Sequence, residues 1–178
     1  MTRRLVTAAA AALLLPALAF AQKTSYDFAK GTNFSAYHTY ALKEGTPVGN
    51  PLIDNRIIEA INAELATKGL TKDDAKPDLF VTYHIAFDKQ KDISAWSTGM
   101  GPYGWHYGMG STDVQVREIL IGTMVIDMAD AAKKEVVWRG VGVKEVDTQA
   151  KPEKRDKKIT EAVKKILKNY PPEQKKTE

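Results

Sequence analysis

Two β-rich runs separated by one polar turn constrain this chain most. Residues 114–128 and 136–146 are dense in Val, Ile, Met and Thr, and ADAAKK at 129–134 stands between them. That pattern predicts a long antiparallel hairpin. A turn centred near Ala132 sets Met124 opposite Gly140, Gly122 opposite Gly142 and Ile126 opposite Trp138. Three glycines then share one face. Glycine weakens a strand, so the cluster predicts close approach by another element, such as a helix. Trp138 reads as core. Asp130 reads as a turn residue whose carboxylate bonds the local backbone, and Asp127 and Arg139 as an exposed diagonal ion pair.

The helices announce themselves by spacing. Ile53, Ile57, Ile61 and Leu65 recur every fourth residue, with Ile58 beside them, which is one apolar stripe. Asn50-Pro51 reads as N-cap and first turn, and Lys68-Gly69-Leu70 as the stop. Ile159, Ala162, Val163, Ile166, Leu167 and Tyr170 form a second stripe, ended by Pro171-Pro172. Short strands are expected at 26–28 and 37–42 around the turn KGTNFSA, and another at 79–87. In that last strand Leu79, Val81, Tyr83, Ile85 and Phe87 share a face. Residues 71–78 read as a loop, and the strand is expected to end before the charged run at 88–92. The sum is a two-layer α+β sandwich: a small, largely antiparallel sheet with two amphipathic helices on one face.

Residues 1–21 predict export. Arg3 and Arg4 precede an apolar run, and Ala19-Phe20-Ala21 is a small-x-small cleavage site. Cleavage after Ala21 leaves a single domain at 22–172 and a polar, disordered tail at 173–178. Two of the arginines behind the net charge of +4 lie in the leader, so basicity is weak support for nucleic-acid binding. The basic cluster Lys151, Lys154, Arg155, Lys157 and Lys158 is interleaved with Glu153, Asp156 and Glu161 and reads as a solvated helix face. No nucleic-acid partner and no membrane span in the mature chain are expected. With no cysteine, disulfides, thiol catalysis and lipobox acylation are excluded.

The segments YDFAKGTNFSAYHTYAL, PLIDNRIIEAINAELATKGL, PDLFVTYHIAF, IGTMVIDMADAAKKEVVWRGVG and ITEAVKKILKNYPP together resemble the bacterial envelope family catalogued as domain of unknown function 4136. The resemblance covers nearly the whole mature chain. It implies an envelope location and an α+β domain, and it brings no activity and no catalytic residues. Members are often lipoproteins, a feature this cysteine-free chain departs from.

No catalytic constellation emerges. His38, His84 and His106 lack the helical spacing of a zincin motif, so neither a metal centre nor a cofactor is expected. No Gly-x-Ser-x-Gly elbow occurs. Gly99, Gly101 and Gly104 match Gly-x-Gly-x-x-Gly, but a strand follows where a dinucleotide fold needs a helix. The segment STGMGPYGWHYGMGST at 97–112 is what remains. Two roles stay open for it: an Ω-loop packed on the open sheet face, or a recognition surface built from Trp96, Tyr103, Trp105, His106 and Tyr107. The expected function is therefore a non-enzymatic envelope binding module. Its partner would be an envelope protein, a peptidoglycan-associated component or a membrane surface. The alternatives are a carrier of a small apolar ligand, held between sheet and helices under residues 97–112, and a metal-dependent enzyme.

Overall fold

A computed structural model describes residues 23–97 and 112–173, with the backbone alone at 92–97 and 112–116. In chain order the elements are β1 (Lys23–Phe28), a 3-10 turn (Phe34–Ala36), β2 (Thr39–Leu42), α1 (Pro51–Thr67) and β3 (Thr71–Lys72). β4 (Leu79–Ser97), β5 (Thr112–Asp130), β6 (Glu135–Glu145) and α2 (Pro152–Leu167) follow. The strands make one mixed sheet in the order β1-β6-β5-β4-β2-β3. β2 runs parallel to β3 and β4, and the other pairings are antiparallel. This is the expected α+β sandwich.

The helices carry the two apolar stripes read from the sequence, although α2 starts at Pro152, inside residues 147–156 that read as a polar linker and ahead of the first stripe residue, Ile159. Asn50 accepts at its side chain from the amides of Leu52 and Ile53, at 3.1 and 3.4 Å, with Pro51 at the start. At the other end Gly69 takes φ 82°. There the Leu70 amide reaches back to the Leu65 carbonyl at 3.1 Å, a Schellman closure. Ile57, Ile61 and Leu65 of α1 and Val163, Ile166 and Leu167 of α2 are buried. They pack on Leu79, Val81, Ile126, Met128 and Trp138 of the sheet. Trp138 is fully buried, with its ring edge-on to Tyr170 at 5.6 Å.

The hairpin register differs from the expected one by two residues: Met124 faces Gly142, Ile126 faces Gly140, Met128 faces Trp138 and Gly122 faces Lys144. Two local features cause the shift. The turn occupies residues 131–134, closed by Asp130 opposite Glu135, with Lys134 at φ 59°. The ladder also slips between Met128 and Ala129, leaving Val137 as an extra residue on β6. Asp130 does act as the turn residue: one carboxylate oxygen accepts from the amides of Ala132 and Lys133, both at 2.9 Å. Its other oxygen accepts from the Tyr37 hydroxyl at 2.9 Å. Asp127 and Arg139 stand directly opposite rather than diagonally. They form a two-pronged pair at 2.6 and 2.7 Å in which Asp127 is buried.

Three further differences concern strand boundaries. The segments at 26–28 and 37–42 are not neighbours; β6, β5 and β4 lie between β1 and β2. The connection can cross because Phe34 is buried on the way, edge-on to Phe28, Tyr37 and Tyr170. Residues 71–72, read as loop, add a short edge strand to β2. The strand expected to end at Phe87 continues through the charged run at 88–92 to Ser97.

Candidate functional site: a hairpin arm and the apolar cleft at its root

β4 and β5 are paired without interruption from Leu79 opposite Asp130 to Ser97 opposite Thr112. β6 ends opposite Ile121. Past that point the rungs from Lys89–Leu120 to Ser97–Thr112 form a two-stranded ribbon. Nine rungs at about 3.3 Å each extend it by roughly 30 Å. Complementary charges occupy its base, where Lys91 stands opposite Glu118. Arg117 also reaches Glu145 on β6 at 3.2 Å. Among the described residues no third strand flanks this ribbon.

Of the residues proposed for recognition, Trp96 belongs to β4, with its backbone paired to Asp113. Tyr103, Trp105, His106 and Tyr107 lie outside the described residues. Of the three histidines, His38 and His84 are described, and each is engaged separately. His84 shares a hydrogen bond between Nδ1 and the Thr46 hydroxyl at 3.0 Å, and the amide of His38 donates to Asp78 at 2.8 Å. No group of three His, Asp or Glu side chains in the described residues is placed to share a metal ion. None of the described helices is long and apolar enough to cross a membrane.

The second feature is a cleft of about 330 Å³ between the helices and the sheet, at the root of the arm. Ile53 and Ile57 come from α1, Ile85 and Phe87 from β4, Met124 from β5 and Ile159 from α2. Phe87 is 49% exposed although it faces the helix side. The glycine cluster explains the space. Gly122 and Gly142 lie in the cleft wall, where they contribute no side chain. A Cβ on Gly122 would stand 2.8 Å from a Val146 methyl and 3.5 Å from the Phe87 ring. Gly140, one pair further along, serves close packing instead: a Cβ there would meet the Trp138 indole and stand 2.6 Å from the Ile166 Cγ2. The expected approach of a helix to the glycines is therefore real at Gly140, and the cleft begins where that approach stops.

Polar groups fix the elements around the cleft. Outside its lining, the Asp54 carboxylate ties down Val48 of the wall, accepting from the Val48 amide at 2.8 Å and from the Tyr83 hydroxyl at 3.0 Å. Burial, reinforced by that hydrogen bond, pushes the Tyr83 hydroxyl up to about 12. In the lining itself Asp147 accepts from Lys158 at 3.2 Å and Lys154 at 3.3 Å. Those two ammonium groups hold its carboxyl below the usual range, Lys158 most strongly.

Beyond Asp147 the cleft opens onto a wider depression of about 790 Å³, which shares Leu120, Lys144, Glu145, Val146, Asp147, Thr148 and Lys158 with it. Lys23, Lys89, Arg117, Lys144 and Lys158 line that depression against Glu118, Glu145 and Asp147. Arg117 is engaged with Glu145 and Lys158 with Asp147. Lys23, Lys89 and Lys144 have no carboxylate partner within ion-pair distance among the described residues. The depression is thus net cationic, and the cleft behind it is apolar.

Comparison with known proteins places the fold. No curated protein matches the sequence. Among solved structures, a PDZ domain protein from Parabacteroides distasonis aligns with a TM-score of 0.58 at 19% identity. That alignment covers 86% of this chain and 37% of the other, so this chain spans little more than a third of that protein's length. The PelC dodecamer from Paraburkholderia phytofirmans aligns at 0.50 and 9% identity, over 83% of this chain and 95% of its own. A DUF4136 family protein from Bacteroides thetaiotaomicron aligns at 0.52 and 16% identity, over 84% and 96%. At these identities the likeness is one of fold. The sequence itself matches the family DUF4136, a domain of unknown function, over residues 24–172, and the chain belongs to that family.

Proposed function

We propose that this chain is a non-enzymatic binding module of the bacterial cell envelope. In this reading residues 1–21 direct export, residues 22–172 fold as one domain, and the β4–β5 arm is the binding element. The observation that carries it is the uninterrupted ladder out to Ser97–Thr112, which delivers residues 98–111 to the end of a two-stranded ribbon. A ribbon standing beyond its sheet gives up burial of its own and presents unpaired edges. Such an arrangement suits strand addition or a partner's groove better than it suits stability. Trp96, Tyr103, Trp105, His106 and Tyr107 are the residues proposed for contact, since aromatic side chains dominate binding hot spots. PelC, a structural neighbour, is a dodecamer, so a second copy of this chain belongs among the partners to test.

The test is a pull-down from native envelope, with sedimentation of the purified protein beside it. Trp105→Ala/Tyr107→Ala, and a variant shortened symmetrically by four rungs, should lose the partner or the self-association while keeping the parent's thermal midpoint. A collapse in stability with the partner set unchanged would show that the aromatics pack on their own domain. Turnover in a broad hydrolase screen would overturn the non-enzymatic reading.

A further inference from the structure

The cleft is independent of the arm's tip and has its own chemistry. Its walls come from three layers of apolar side chains, Ile53 and Ile57 below, Phe87 and Met124 behind, and Ile159 above. Its volume of about 330 Å³ lies at the lower end of the range of about 300–1,000 Å³ over which small-molecule sites fall. A space of that size and lining accepts a slender apolar body. One end leads into the depression where Lys23, Lys89 and Lys144 stand without carboxylate partners among the described residues. Lys144 lines both spaces, together with Glu145 and Asp147. Those two carboxylates are already engaged, Glu145 by Arg117 and Asp147 by Lys154 and Lys158, so a molecule seated in the cleft with one end at Lys144 would meet an ammonium group with no carboxylate partner among the described residues. Polarity therefore runs along the cleft, carbon at Ile53 and Ile57 and an unengaged positive charge at Lys144.

We propose that this cleft binds a single-chain anionic amphiphile, with the hydrocarbon chain between α1, α2 and the sheet and the acidic head at Lys144. The head is a carboxylate or a phosphate ester, since both satisfy the same ammonium group. Phe87 is the wall residue the chain would cover, which accounts for a large aromatic left half in solvent on the helix side of the sheet.

The experiment measures binding of dodecanoate, dodecyl phosphate and dodecanol to the purified full chain by titration calorimetry, after native mass spectrometry has shown what co-purifies. Dodecanoate or dodecyl phosphate, or both, should bind one to one, at least tenfold tighter than dodecanol. Whichever acid binds tighter names the head group. Phe87→Ala should weaken all chains about five- to tenfold with the fold intact, because a side chain that exposed contributes little to stability. Lys144→Glu should weaken the acids about tenfold and leave dodecanol unchanged, so that selectivity disappears. Equal binding of acid and alcohol, untouched by Lys144→Glu, would overturn the anionic assignment. No binding of any chain would overturn the site. Self-association broken by Ala162→Phe, with no chain bound, would give the cleft to a second copy. Shortening the arm should leave these affinities as they are, so this proposal and the arm's role fail separately.

Discussion

Gly140→Ala is the sharpest probe of how the two layers meet. A single methyl there would run into the Trp138 indole and stand 2.6 Å from Ile166 Cγ2. Neither neighbour can yield cheaply. Trp138 and Ile166 are 0% and 1% exposed, and the indole is held edge-on by Tyr170. Overpacking of this kind costs about 1–3 kcal/mol. Against it stands the usual gain on replacing glycine, about 0.4–1 kcal/mol from the less flexible unfolded chain. The steric term is larger, so the variant should lose about 1–2 kcal/mol net. At this chain length that is a fall of about 3–6 °C in thermal midpoint. Urea unfolding followed by tryptophan fluorescence measures it, read from the midpoint at constant slope. A double-mutant cycle with Ile166→Ala should return a coupling of about 0.5–2 kcal/mol, since the double variant removes half of the obstruction. A variant as stable as the parent, or with no coupling to Ile166, would refute the account of why β6 carries glycine under α2.

Tyr170→Phe should leave urea stability unchanged or raise it by up to about 1 kcal/mol. The hydroxyl is buried without a hydrogen-bond partner among the described residues, and the ring contacts with Trp138 and Phe34 survive; a loss of more than about 1 kcal/mol would mean the hydroxyl is satisfied after all. Acid should unfold the domain through Asp78 and Asp130, whose carboxyls sit below their ordinary value. For Asp78 the His38 amide is the main cause, and for Asp130 the Lys133 amide. Groups with a lowered folded pKa stabilise fully above the unfolded value, near 3.9, and lose that contribution as pH falls through the folded one. The urea midpoint should therefore hold between about pH 7 and 5 and drop below about pH 4, with a shallower drop in Asp78→Asn; an unchanged acid slope in that variant would rule Asp78 out.

Much of the fold was legible because local chemistry and tertiary packing agree. Asn50, Pro51 and Gly69 bound α1 by capping rules that hold in any context, and the stripe between them needed only a sheet to cover it. Asp130 was legible for the same reason, since its turn is built from its own neighbours. The register was not. The Val137 bulge leaves no mark in the residue pattern, and one extra residue moves every partner beyond it. The arm was missed for a different reason. A strand is recognised by alternation when one of its faces is buried. At 88–91 the side chains on both faces are exposed, so alternation carries no hydrophobic signal and the expected strand stops at Phe87. The expected recognition residues, Trp96 apart, fall in 98–111, between the paired ends of that ribbon.

The cleft had a signal, in a place that was read for something else. Three glycines on one face point to close approach by a helix; at Gly140 the neighbour is Ile166 of α2, whereas at Gly122 it is Val146 and Phe87. The difference lies in α2. Between Pro152 and Lys158 it has no apolar residue, and its fully buried side chains, Val163, Ile166 and Leu167, all sit in its C-terminal part. The hydrophobic effect can press only that part onto the sheet, and there Gly140 makes room for it. Under the other part, Gly122 and Gly142 remove side chains from a wall that α2 has no matching residues to fill. The charged turn that cannot close the cleft also supplies Lys158 at its mouth. An apolar space and the cations beside it therefore have one cause, the uneven distribution of apolar residues along α2. Ala162→Leu would test that cause on stability alone: a larger apolar side chain at this cleft-lining position of α2 should gain by filling the space, and a loss would mean the space is already occupied.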